Sequence, residues 1–159
     1  MNTRLPPSFA GAALAALIAL AITGPARADD HGPRVAPPPA YLQECGACHV
    51  PFPARGLPAA SWRRLMANLP HHFGTDASLD PAAERDLGAW LQAQAGSPSR
   101  VAEPPQDRLT RSTWFVREHD EVPAGLWRSA AVGKASNCAA CHTRAAEGRF
   151  GEHEIRLPR

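Results

Sequence analysis

Beyond its first residues the chain has no apolar run near the roughly 20 residues that span a bilayer, so no transmembrane helix is expected there. No stretch alternates apolar and polar residues over a strand's length, which argues against a sheet. Dense basic tracts are missing too. Nearly all cations are arginine, with Lys134 the only lysine, and this argues against a nucleic-acid partner. Methionine is limited to two residues and cysteine to four. Those four cysteines carry the main signal.

They fall into two copies of one signature, Cys45-Gly46-Ala47-Cys48-His49 and Cys138-Ala139-Ala140-Cys141-His142, with none left over. In Cys-x-x-Cys-His the two thiols bond covalently to the vinyl groups of haem and the histidine becomes an axial iron ligand. The spacing places both sulfurs on one side of a turn, with the next residue under the metal. A disulfide pair or a zinc site could also use four cysteines and two histidines. Neither explains why His49 and His142 hold identical positions. Two covalently bound haem c groups are the expected cofactors.

The N-terminus is consistent with export. Arg4 supplies a short positive region, residues 9–22 are apolar, and Ala26-Arg27-Ala28 fits the small-x-small cleavage pattern. A signal peptide over 1–28 is expected, with the mature chain starting at Asp29 in the periplasm and no stable membrane insertion. Haem attachment of this type takes place outside the cytoplasm, where free thiols would otherwise oxidise. Removing Arg4 and Arg27 from the 17 Lys and Arg leaves 15 cations against 15 anions, so haem propionates would make the loaded protein anionic. Arginine pairs bidentately with carboxylates, which suits a few of these residues to clamping propionates.

Proline marks the organisation. Pro37-Pro38-Pro39 ends a flexible arm over 29–39, and a Pro-rich stretch over 97–106 separates the two motifs as a linker. The division expected is a first haem lobe over 40–96 and a second over 107–159, each small and organised around one haem. Regular structure reads as helix: residues 40–48 leading into the first motif, and 61–69 with Trp62, Leu65, Met66 and Leu69 on one face. A third begins at the Asp80-Pro81 cap and ends at Gly96. Ser112 or Thr113 caps a short helix through Val116, and Asn137 opens a helix carrying the second motif. The fold class is all-α, two helical haem-binding lobes with extensive loops, and a monomer is expected.

The sixth iron ligand decides the chemistry: Met gives a high potential, a second His a lower one, and an open position allows catalysis. Met66 lies on an apolar helix face and reads as core. His31 falls in the arm. His71 and His72 both follow the first motif after one helix, and at most one of these neighbours can reach the iron, with His71 read as a surface or capping residue. For the second haem only residues 143–159 follow the motif, so His153 would need a tight hairpin, whereas His119 can arrive from a separate helix and is favoured. Trp62 and Trp114 are candidates for packing on haem or simply for the core. The competing reading is a dihaem redox enzyme, a peroxidase or an oxygen or nitric-oxide reductase with one displaceable ligand. A gas or redox sensor would need an output domain, and none is evident.

The segments 41–49, Ser61-Trp62, Leu65-Met66 and 72–79, then Trp114-Phe115, Arg117-Glu118-His119, 137–142 and the ending 154–158 resemble the small dihaem cytochromes c of purple phototrophic and related proteobacteria. The resemblance implies a low-potential, bis-histidine electron carrier without enzymatic activity. It makes His72 and His119 the distal ligands opposite His49 and His142. It also implies that electrons come from a membrane b-type cytochrome and pass to a small oxygen-binding monohaem cytochrome.

Overall fold

Five short helices and a series of single 3-10 turns make up the computed structural model, which describes residues 35–158. The expected signal peptide, the first part of the arm and His31 lie outside the described residues. The helices are α1 Pro39–Gly46, α2 Ala59–Met66, α3 Pro81–Ala93, α4 Thr113–Glu118 and α5 Ala124–Trp127. Among the described residues there is no strand, only isolated bridges such as Pro58 with Gly96 and His142 with Ile155. The expected all-α class is what the chain adopts. None of the described helices is long and apolar enough to cross a membrane.

Local chemistry sets the helix starts. The Asp80 carboxylate accepts from the backbone N–H groups of Ala82 (2.9 Å) and Ala83 (3.0 Å), and Pro81 fills the first helical position, where an N–H would have no partner. Ser112 caps α4, its hydroxyl accepting from Phe115 N–H at 3.2 Å while donating to the Leu109 carbonyl at 2.7 Å. Proline opens α1 in the same way.

Two sequence expectations need correction. Gly96 does not end α3, which stops at Ala93. Gly96 lies beyond it, where its N–H donates to the Leu57 carbonyl at 2.9 Å. A side chain there would strike the Arg55 carbonyl oxygen and Val101, so glycine serves a close backbone approach. Nor does Asn137 open a helix. Cys138–Ala140 forms a single 3-10 turn, and the Asn137 amide donates to the Val132 carbonyl at 3.1 Å instead of capping.

One core cluster draws on both sides of the Pro-rich stretch. Tyr41, Leu57, Trp62, Met66, Leu87 and Leu91 are buried with Leu109 and Phe115. Within it α2 lies against α3, where Met66 faces Gly88. Trp90 of α3 packs on Tyr41 of α1 with ring centroids 4.9 Å apart.

The loop after the first motif is pinned by three aromatic donors. Tyr41 Oη donates to the Phe52 carbonyl (2.6 Å), Trp62 Nε1 to Ala54 (2.6 Å) and Trp114 Nε1 to Gly56 (3.1 Å). Buried loop carbonyls need such partners, and the indole and phenol groups provide them while filling the core. Trp62 and Trp114 thus hold backbone of the first half from α2 and α4. At the other end the chain folds back on the second motif. Arg156 N–H donates to the Cys141 carbonyl at 2.8 Å, and the Thr143 hydroxyl to Glu154 at 2.9 Å.

Candidate haem sites

Cys45 sits in the last turn of α1, Cys48 and His49 just beyond it. The His49 ring is oriented twice: Nδ1 lies 2.8 Å from the Val50 carbonyl, and the imidazole stacks on Phe52 at 4.8 Å and 24°. An Nδ1–H given to a carbonyl leaves Nε2 as the free lone pair, the tautomer a metal ligand needs.

After α2 the chain makes a 3-10 turn, Leu69–His71, and then reverses sharply through Phe73 (φ +51°) and Gly74 (φ +96°), with Thr75 N–H donating to the His72 carbonyl at 3.0 Å. This reversal brings the His72 ring opposite His49, with centroids 6.3 Å apart and 18° between planes. His71, one residue earlier, is exposed, with Nδ1 3.2 Å from Asn68 Oδ1. Burial, then the His49 ring, then the Arg108 charge push the His72 imidazole toward its neutral form. Its Nδ1 is buried without a partner.

The second pair is built differently. His119 follows α4 directly, its Nδ1 2.8 Å from the Phe115 carbonyl one turn back and its ring stacked on Phe115 at 4.0 Å and 21°. Trp127 of α5 packs against it at 5.9 Å. His142 follows the 3-10 turn, its N–H donating to the Cys138 carbonyl at 2.8 Å, and faces His119 with centroids 6.0 Å apart at 70°. Phe150 meets the His142 ring edge at 5.5 Å. Burial and the neighbouring His119 favour neutral His142. His153 is exposed on the returning tail, and Met66 is buried between α2 and α3.

No disulfide joins the four cysteines. Burial raises the Cys45 thiol to about 11, with Glu44 adding to it, and burial likewise raises Cys138 and Cys141. Among the described residues no three His, Cys, Asp or Glu converge as a metal-holding group. Sequence reading passed over three of the rings that orient the histidines: Phe52, Trp127 and Phe150. Only contact in three dimensions reveals them.

A metal–imidazole bond is about 2.0 Å and the ring centre lies roughly 1 Å behind its nitrogen, so two imidazoles on opposite sides of one iron hold centroids about 6 Å apart. Both pairs meet that spacing, and each stands beside a Cys-x-x-Cys-His motif. The residues present fit haem.

A helical chain with covalent haem motifs at two separate places is a cytochrome of the c type. It belongs to the dihaem cytochrome c family, whose model matches residues 41–150. Among solved structures, the diheme cytochrome type c from Shewanella baltica OS155 is 37% identical, over 76% of this chain and 92% of that one, with a TM-score of 0.66. Two structures of diheme cytochrome c from Rhodobacter sphaeroides are 44% and 42% identical. They cover 74% and 73% of this chain and 100% and 98% of their own, with TM-scores of 0.62 and 0.64. No curated protein matches the chain. As a member of this family the protein carries two covalently bound haem c groups and acts in electron transfer.

Proposed function

We propose that the protein is a low-potential bis-histidine electron carrier of the periplasm, with no catalytic residues. In this reading Cys45 and Cys48 anchor the first haem between His49 and His72, and Cys138 and Cys141 anchor the second between His142 and His119. The two lobes are residues 40–96 and 107–159, joined through the linker 97–106, and the signal peptide 1–28 directs export. The observation that carries the reading is the opposition of two histidine rings at each motif, at 6.3 and 6.0 Å.

When bound, each haem supplies a one-electron iron couple whose potential depends on axial ligands, burial and hydrogen bonding. The protein holds the ligands in place. Val50 and Phe115 carbonyls orient His49 and His119 through their Nδ1 atoms, and Phe52 and Phe115 stack on the same two rings. A carbonyl at Nδ1 raises the basicity of the ligating nitrogen and favours the oxidised metal, hence a low potential. Rings held this firmly need little rearrangement when the metal changes charge. With His49 and His72 holding one iron and His142 and His119 the other, neither haem would offer a position to a substrate.

The partners are proposed from resemblance: a membrane b-type cytochrome as donor and a small oxygen-binding monohaem cytochrome as acceptor. Docking would be transient and weak, as in redox encounters generally. The deciding measurement is carbon monoxide added to the reduced holoprotein at neutral pH. A spectrum that stays unchanged is the expected result. Rapid formation of a carbonyl complex would favour a dihaem enzyme with a displaceable ligand.

A further inference from the structure

Arg108 is a cation brought close to His72 of the first pair by an unusual backbone path. Two consecutive residues before it, Gln106 (φ +59°) and Asp107 (φ +54°), adopt left-handed conformations without being glycine. Such conformations persist only where the surroundings hold them, and they concentrate at functional positions. Here the hold is explicit. Arg64 of α2 grips the Asp107 carboxylate with both Nε (2.9 Å) and Nη2 (2.6 Å), and Nη2 also reaches Glu103 at 2.6 Å. Arg111 Nη1 donates to the Gln106 side chain at 2.8 Å.

The turn thus fixed delivers the Arg108 guanidinium over the Phe73 ring, 4.1 Å from its centroid. Phe73 also has a left-handed backbone, and its ring packs on His72 at 4.8 Å. Arg108 Nε is buried and has no hydrogen-bond partner. The carboxylate of its sequence neighbour Asp107 is held by Arg64 through both oxygens. A buried arginine donor without an acceptor is costly. A carboxylate is the partner whose geometry matches the guanidinium fork.

We propose that Arg108 is a positioning residue for the first haem, offering its free donor to a propionate carboxylate and setting the potential of that centre above the value its ligands alone would give. The proposal rests on the ligand reading above. Positive charge beside a redox metal disfavours the oxidised state, and so does neutralising a nearby propionate. Both effects act in one direction. The contacts at the second pair are aromatic: Phe115 and Trp127 lie against His119, and Phe150 against His142.

The test is a redox titration of the holoprotein followed by electron paramagnetic resonance, which reads the two ferric haems separately. R108M should lower the reduction equilibrium constant of the first centre about tenfold, about 59 mV for one electron, and leave the second within about twofold. R108K, which keeps the charge and loses the fork, should retain part of the effect. R64M, which releases the turn while leaving Arg108 intact, should shift the first centre in the same direction by less. An unmoved first centre in R108M, or equal movement of both, overturns the proposal with the ligand reading intact. Rapid carbon monoxide binding by the unsubstituted reduced protein would overturn both together.

Discussion

His49 and His72 face each other nearly parallel, 18° apart, whereas His119 and His142 stand at 70°. In low-spin ferric haem, parallel axial imidazoles separate the two iron d orbitals that bond to them, and near-perpendicular ones leave these orbitals almost equal in energy. The oxidised protein should therefore show two distinct resonance signals, one rhombic and one strongly axial with its largest g value at lower field. Two identical rhombic signals would contradict the 70° arrangement at the second site.

Ligand identity is tested by pairs of substitutions. H72A and H119A should each open one haem, so that about half of the reduced haem binds carbon monoxide. H71A and H153A should open neither, because both side chains are exposed and His71 meets Asn68 rather than a facing ring. If H153A opened a haem and H119A did not, the second distal ligand would have to be reassigned.

The cysteines and the histidines beside them were legible because covalent haem attachment demands a fixed local spacing. The facing histidines were legible only as candidates. His72 reaches its position through the reversal at Phe73 and Gly74, and His119 through a cap that orients α4 and a carbonyl that turns its ring. Helices with strong local signals, such as α3 behind Asp80, were readable at their starts. The end of α3 was not, since Gly96 answers to a contact with Leu57 and Arg55 rather than to its own helix. The second motif likewise fails to extend into a helix because Asn137 is drawn back to Val132. The suitability of arginine for propionates was legible, but not the choice of Arg108, because nothing in Pro105-Gln106-Asp107 announces two left-handed residues in succession.

Acid should weaken the Arg64–Asp107 fastening before neutral pH affects it. The hydrogen bonds from Arg64, and a smaller one from Ser61, hold the Asp107 carboxyl below the usual carboxylate range. A depressed folded value means that the contribution is complete above the unfolded value near pH 4 and is lost as pH falls through the folded one. D107N should lower stability at pH 7 and flatten the pH dependence of stability below about pH 4. Urea denaturation of the holoprotein at several pH values reads both effects. An unchanged acid slope in D107N would show that other carboxylates carry it.

Three glycines should respond to alanine in a graded order set by what each added methyl would meet. At Gly125, in α5, nothing lies within 4 Å. There alanine should stabilise by roughly 0.5–1 kcal/mol, because glycine costs a helix that much. At Gly56 the new carbon would fall 2.6 Å from Leu109 Cδ1, the end of a side chain that can shift part of the way. A loss of about 1–2 kcal/mol follows for moderate overpacking. At Gly96 the obstacle is the Arg55 backbone carbonyl together with Val101. The backbone there is tied by the Gly96–Leu57 hydrogen bond and by the Pro58 bridge, so it cannot yield without breaking the contact between the first loop and the end of α3. G96A should cost about 3 kcal/mol or more, the upper end for overpacking. Urea midpoints of the three holoprotein variants test the order. A G96A protein as stable as G56A would mean that residues 55–58 are free to move away from Gly96, and the loop that follows the first haem motif would then be far less rigid than its three aromatic anchors imply.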